Sequence, residues 1–290
     1  MDNVNDFFAT LSSYLWGWPM IVLLLGTHIF LSVCLRFPQR KLFTAIRLSV
    51  QRDKSQKGDV SQFGALATAL AATIGTGNII GVATAVALGG PGAVFWCWLT
   101  GVFGISTKYS EALLAIKYRV KSEKGHMLGG PMYTLERGLG WRKMGILFAV
   151  FTAIAAFGIG CTVQANAIST IMHASYGIST SVSGAVLMLL AAAVILGGVR
   201  SISKVCSMLV PFMALLYVLG CIYILCVNAG YVVPALKLIV NSAFSPEAAG
   251  GGLAGGSVIM AARYGIARGL FSNESGLGSA PIVAAAARTK

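Results

Sequence analysis

Charge is scarce in this chain, and acidic charge scarcest of all. Of 290 residues, 11% are charged, and nine are Asp or Glu against 22 Lys or Arg, for a formal net charge of +13. Hydrophobic residues make up 56%, and the mean hydropathy is +0.78. This shortage of charge excludes an ordinary water-soluble domain and marks a polytopic membrane protein. In a soluble chain the basic excess would suggest nucleic acid. Here the basic residues lie between apolar runs, and no run combines basic and aromatic residues in a nucleic-acid-binding pattern. Topology and the anionic inner leaflet account for them. Catalytic and metal-binding patterns are missing too. His28, His126 and His173 are scattered and make no metal-ligand spacing, and His28, alone in the first span, reads as hydrogen-bonded to a neighbour. The six cysteines, Cys34, Cys97, Cys161, Cys206, Cys221 and Cys226, form no CxxC and read as buried small hydrophobes. No Ser/His/Asp set, HExxH or pair of catalytic carboxylates is present, so no enzyme is read and no catalytic residue assigned. The N-terminus lacks a basic n-region and a small-residue cleavage site, which argues against a signal peptide.

What is present is a series of apolar spans. The first covers about Trp16–Phe37 and opens on the interfacial aromatics Tyr14, Trp16 and Trp18. A basic loop follows, with Arg36, Arg40, Lys41, Arg47, Arg52, Lys54 and Lys57, expected in the cytoplasm. Within it Thr44–Arg52 reads as a short interfacial helix. A second apolar run, Phe63–Leu88, leads outward to a tight turn at Gly89-Gly90-Pro91-Gly92. The third span, Ala93–Tyr118, carries Phe95, Trp96 and Trp98 at its outer end. Lys108 and Glu111, one turn apart near its inner end, read as a local ion pair. A second basic loop, Lys117–Lys143, contains Gly129-Gly-Pro-Met-Tyr133, expected to fold back as a turn. Further spans are expected over Gly145–Met172, Val182–Val199 and Cys206–Asn228. The first of these holds Gln164 and Asn166 among small residues. The second ends at Arg200 and Lys204, inside. A longer outer loop, Ala229–Gly256, holds Gly250-Gly251-Gly252, and a last span starts near Ser257. Alternating these segments places all the basic ones on one side, which gives about seven spans with the N-terminus outside.

Two of the spans are interrupted. The run Phe63–Leu88 is long enough to cross a bilayer, which takes roughly 20 apolar residues. Yet its midpoint reads Thr73-Ile-Gly75-Thr76-Gly77-Asn78, and Gly costs about 1 kcal/mol relative to Ala in a helix interior. A span that only had to cross would not weaken its own centre. In lipid, freed backbone groups are tolerated where protein covers them or where they line a wet cavity. The segment therefore reads as a broken helix whose backbone faces a ligand. A close-packed helix crossing through small residues is the alternative. The last span is broken likewise, at Phe271-Ser272-Asn273-Glu274-Ser275-Gly276-Leu-Gly278. Two interrupted segments at corresponding positions point to an inverted-repeat transporter, in which the breaks meet at mid-membrane. Half-helix N-termini then present positive dipole ends to a substrate carboxylate. The first break offers the Thr73 and Ile74 carbonyls, the Thr76 and Gly77 amides and the Asn78 side chain, hard oxygen ligands suited to Na⁺. The second offers Ser272, Asn273, Ser275 and Glu274. A carboxylate at membrane depth makes Glu274 a candidate coupling group, with a structural ion pair to Arg268 or Arg263 as the alternative.

The motifs Gly64–Asn78, Gly89–Trp98, Gly129–Tyr133 and Gly269–Pro281, in that order over nearly the whole chain, resemble the alanine/glycine:cation symporter family. The resemblance implies a leucine-transporter-type inverted-repeat fold with one extra N-terminal helix. It implies Na⁺-coupled, sometimes H⁺-coupled, import of alanine or glycine across the bacterial inner membrane, with Na⁺ as coupling ion and no other cofactor. By position, Thr73, Gly75, Thr76, Gly77 and Asn78 would hold substrate, with Thr73, Ile74 and Asn78 also holding Na⁺. Gln164 would face the substrate, and Phe271, Ser272, Asn273 and Gly276 would close the other side. Cys97 stands where the family pattern leads one to expect Met. The family also continues well beyond Lys290, so the second repeat is expected to be incomplete and the chain alone inactive in transport. The expected division is an N-terminal helix and basic loop over 1–61, a first repeat over 62–228, and an outer loop with the opening broken helix of the second repeat over 229–290. An ion channel would need a continuous polar pore face, whereas the polar residues cluster at two points; a channel or an intramembrane structural protein remains the other reading.

Overall fold

The computed structural model describes residues 2–15, 17–50, 58–244 and 258–289. The features expected at Trp16, Arg52, Lys54, Lys57, Gly250–Gly252, Ser257 and Lys290 lie outside these residues. The described chain is helical but for one short hairpin. Helix α1 (Asp2–Leu15) occupies residues to which the sequence reading gave no element. Helix α2 (Trp18–Cys34) carries the first span, with Pro19 in its first turn, where a missing N–H costs nothing. It ends at Arg36 and Phe37, whose φ values of 55° and 57° put them in the left-handed region that a right-handed helix cannot continue through. Over the described part of Thr44–Arg52, where a short helix was expected, stands α3 (Leu42–Val50).

The second apolar run divides as expected, into α4 (Gln62–Thr73) and α5 (Ile80–Gly89). Ser61 caps α4 by accepting the Gly64 N–H at 3.0 Å. Gly90, with φ 74°, closes α5 and begins the turn into α6 (Ala93–Lys117). The second basic loop is more ordered than expected. It holds an antiparallel hairpin, β1 (Val120–Lys121) with β2 (Met127–Leu128), pairing Val120 with Leu128. Helix α7 (Pro131–Leu139) follows. Gly129–Tyr133 is thus not a turn throughout. Gly130 alone makes the reversal, with φ 133°, and Pro131 opens a helix.

Helices α8 (Arg142–Ala155) and α9 (Val163–Tyr176) are joined by a π-helical segment, Ala156–Thr162, into one continuous 35-residue helix. Helix α10 (Thr180–Ile195) follows, then α11 (Gly198–Val227). Arg200 and Lys204 lie in the first two turns of α11. The expected loop over Ala229–Gly256 is corrected over its first part, where helix α12 (Ala229–Phe244) stands. The run Tyr231–Val240 is nearly unbroken in its apolarity, and Pro234 sits inside the helix without ending it. The last span is α13 (Val258–Asn273) and α14 (Ala280–Ala285), broken between them.

By length and composition, α8–α9 and α11 can each cross a bilayer. Counting the interrupted pairs α2–α3 and α4–α5 as spans raises the number to four among the described residues. In the most apolar stretches of α8–α9 and α11, 0% and 6% of residues are buried. Apolar surface of this extent suits acyl chains as neighbours, and the chain is a multi-pass membrane protein. The same outward faces correct the reading of the cysteines. Cys34, Cys161 and Cys226 are exposed, the other three half-buried, and all six are free thiols. On a membrane helix apolar residues turn toward lipid as readily as inward, so apolarity does not imply burial.

The chain forms two compact units. The first comprises Met1–Leu42, Gly77–Ser110 and Leu219–Leu277; the second Phe43–Thr76, Glu111–Val218 and Gly278–Lys290. In the first unit α13 packs against α5, α2 and α12. Its core is Ile21, Ala262, Ile266 and Leu270, with Leu24, Leu25 and Trp96 against it. Gly265 and Gly269 let α13 cross α6 closely. A Cβ at Gly265 would lie 2.7 Å from the Trp96 Cβ, and one at Gly269 would lie 3.1 Å from the Cys97 Cα. In the second unit α14 packs on α4, α7 on α8, and α9 on α10. The N–H groups of Asp59 and Val60 donate to the Ala286 carbonyl at 2.9 and 3.2 Å, and the Arg288 N–H donates to the Val60 carbonyl at 2.9 Å. Arg119 donates to the carbonyls of Ala285, Ala287 and Thr289 at 3.1, 2.9 and 2.8 Å. The far ends of α4 and α14 are thereby fastened together.

Candidate functional site

Each break has its own local chemistry. At the first, helical bonding in α4 stops at Ile74, whose N–H reaches the Leu70 carbonyl at 2.7 Å and whose backbone is extended, with φ −92° and ψ 92°. The last carbonyls of a helix have no partner further along it. Thr73 turns its hydroxyl back to the Ala69 carbonyl at 3.0 Å. Thr76–Asn78 forms a single 3₁₀ turn, and α5 opens at Ile80 behind Ile79, which has no side chain able to cap it. At the second break Glu274, Gly276 and Gly278 all take positive φ, 51°, 86° and 77°. Two glycines make such a reversal cheap, and Glu274 accepts a conformation that costs an L-residue about 1–2 kcal/mol. The Asn273 side chain accepts the Ser275 N–H at 3.0 Å, a local substitute for the lost helical bond.

The candidate residues fall into two groups. In the second unit, Thr76 donates its hydroxyl to Gln164 Oε1 at 2.5 Å. Gly75 lies under the same amide, where a Cβ would come 3.3 Å from Gln164 Nε2. Gln164 sits in the first turn after the π segment, and π segments often mark functional sites. In the first unit, Ser272 donates to Asn78 Oδ1. Gly77 faces the Phe271 ring, with a Cβ position 3.9 Å from its Cε1. Thus Asn78 from the first break and Ser272 beside the second are in direct contact. Gln164, 88 residues along, reaches the first break at Thr76. Asn166, on the same helix, is exposed. Ser275 is 1% exposed and Asn273 Nδ2 is buried with no hydrogen-bond partner among the described residues. Gly104 of α6 makes room for both, since a Cβ there would lie 2.9 Å from Ser275 Oγ and 3.3 Å from Asn273 Nδ2.

Among the described residues no three His, Cys, Asp or Glu side chains gather as metal ligands. The oxygens at the first break are backbone carbonyls, hydroxyls and amides, neutral hard donors that suit an alkali cation; the second break adds the Glu274 carboxylate. The expected bond of His28 to a neighbour is present, while the buried polar cluster around it was not foreseen. His28 is fully buried on α2 and pairs through Nδ1 with the Thr107 hydroxyl at 2.8 Å. Beside it Ser32, also fully buried, bonds Ser106 at 2.8 Å, and Gln39 Nε2 donates to Ser32 at 3.0 Å. Adjacent Ser106 and Thr107 meet Ser32 and His28, four residues apart, so no matching spacing announces the cluster.

The profile of the Sodium:alanine symporter family matches residues 1–290. A protein of Haemophilus influenzae described as an uncharacterized transporter is 51% identical over 290 residues, covering 99% of this chain and 64% of that protein. The Sodium/alanine symporter AgcS of Methanococcus maripaludis is 52% identical over 287 residues, covering 97% of this chain and 62% of AgcS. The chain therefore spans a little under two thirds of the length of these curated relatives. By the match along all its residues, the chain belongs to the sodium:alanine symporter family, a family of transporters and not of enzymes.

Proposed function

We propose that the chain forms the ligand-binding part of a secondary transporter that imports alanine or glycine with Na⁺ by alternating access. The observation that carries this reading is the contact of Asn78 with Ser272, which joins the two breaks. Gln164 on Gly75 and Thr76 adds a side chain able to meet a ligand at the first break. The pairing of halves supports a leucine-transporter-type inverted repeat. The later half of the first broken helix, α5, packs on the earlier half of the second, α13, while α4 packs on α14. Two repeats running in opposite senses across the bilayer pair their half-helices in this way.

In this reading the carbonyls of Thr73 and Ile74 and the Asn78 side chain hold Na⁺. The amides of Gly75, Thr76 and Gly77 and the uncapped start of α5 receive the substrate carboxylate. Gln164, Phe271, Ser272, Asn273 and Gly276 line the substrate, and Glu274 is the coupling carboxylate where H⁺ takes part. Residues 62–228 form the first repeat, after an N-terminal helix and basic loop over 1–61, and 229–290 open the second. The protein sits in the bacterial inner membrane with about seven spans and its N-terminus outside. AgcS, by its name, is a sodium/alanine symporter, which supports alanine as first substrate. Radiolabelled alanine uptake by the full-length protein in proteoliposomes tests the reading. Accumulation is expected with an inward Na⁺ gradient and not without one. Uptake indifferent to the gradient refutes it.

A further inference from the structure

We propose that His28 is a positioning residue for the second break, acting through Nε2. The imidazole is 0% exposed. Its Nδ1 is taken by Thr107, itself 4% exposed, at 2.8 Å. Its Nε2 is buried and has no hydrogen-bond partner among the described residues. A buried ring nitrogen is a strong donor or acceptor, and leaving it unmatched is costly enough that few proteins do so without a use.

The surroundings say what that use is. Helix α2 lies directly behind the second break. A Cβ at Gly276 would fall 3.0 Å from Leu24 Cδ2 and 3.7 Å from His28 Cε1, the ring carbon bonded to Nε2. On the other side of the same segment Gly104 of α6 admits Ser275. The break is therefore held between α2 and α6, and the His28–Thr107 bond ties those two helices together at that level. Positive φ at Gly276 takes the backbone there out of the helical conformation. Nε2 is bonded to the ring carbon nearest Gly276, and a hydrogen bond from it through a single water fixes the orientation of that backbone.

The two ring nitrogens can be separated by substitution. Asn places a polar atom near Nδ1 and none near Nε2; Gln does the reverse; Leu supplies neither. In the full-length protein, backbone hydrogen exchange over residues 274–279 is expected to stay at its wild-type rate in His28→Gln. It is expected to run roughly 2- to 12-fold faster in His28→Asn and His28→Leu, the effect of losing one buried hydrogen bond on local opening. If the transport function proposed above holds, the alanine concentration for half-maximal uptake rises in the same two variants while the maximal rate does not fall. The exchange measurement does not depend on that function, so a protein that fails to carry alanine still answers the question. Protection retained in Asn and lost in Gln overturns the proposal, because the Thr107 tie alone would then matter. Equal exchange in all three variants overturns it as well. So does failure of any of them to fold, which would make the role one of packing.

Discussion

Gly104 and Gly101 stand one turn apart on α6, and replacing each with Ala measures the hold of α6 on the second break. A Cβ at Gly104 would lie 2.9 Å from Ser275 Oγ, 3.2 Å from Ser275 Cβ and 3.3 Å from Asn273 Nδ2. At Gly101 nothing lies within 4 Å. Both are interior helical positions, so each Ala gains up to about 1 kcal/mol of intrinsic helix preference. That gain cancels when the two variants are compared. The overpacking at Gly104 remains, and insertions of this kind cost about 1–3 kcal/mol. Gly104→Ala is thus expected to unfold more easily than Gly101→Ala by about 1–3 kcal/mol, read from denaturation midpoints in mixed micelles. Ser275 is 1% exposed, so it does not swing out into solvent and the displacement passes to the break. The alanine concentration for half-maximal uptake should rise in Gly104→Ala and not in Gly101→Ala. Equal midpoints and equal uptake for the two variants would refute the close approach of α6 to the second break.

Three further outcomes are expected. Asn78→Leu removes the side-chain oxygen that meets Ser272 and should raise the Na⁺ concentration for half-maximal uptake more than it alters alanine affinity at saturating Na⁺; an unchanged Na⁺ dependence counts against a cation role. Gln164→Ala should let larger amino acids compete with alanine, whereas a mere interhelical hydrogen bond, worth about 0.6 kcal/mol in membranes, would leave leucine and methionine excluded. Arg119→Ala strips three carbonyls at the end of α14 of their donor and should speed hydrogen exchange over residues 286–289, and Arg119→Lys, lacking the fork, should restore it only in part.

Much of the architecture could be read from the residues. The breaks at Thr73–Asn78 and Asn273–Gly278 were legible because glycines and small polar residues inside an apolar run contradict the needs of a plain span. Gln164 was singled out through the family resemblance, since as an amide among small residues it did not differ from Asn166, which is exposed. What escaped depended on neighbours distant in the chain. Helix α12 was hidden by Pro234 and by the three glycines beyond it, which look like loop chemistry until a bilayer and packing partners tolerate the proline. The hairpin and α7 were hidden in a stretch whose glycines and basic residues suit any connection. The π segment leaves almost no trace, since Gly158 and Gly160 serve equally well in an α-helix crossing. His28 was visible as an oddity, but its partner Thr107 lies 79 residues away, and no local pattern joins them.

The fastening of Val60 to Ala286 and Arg288 turns α4 into a ruler. Its twelve helical residues start at a tied end, and each adds about 1.5 Å of rise and about 100° of turn before the break begins. The height of the Thr73–Asn78 segment above that anchor is therefore counted out, roughly 18 Å along the axis. Substitutions along α4 change what the ruler touches but leave its reading alone. A single inserted residue would lift the break by about 1.5 Å and swing it through about a quarter of a circle, carrying Gly75 and Thr76 away from Gln164 although no residue at the site itself had changed.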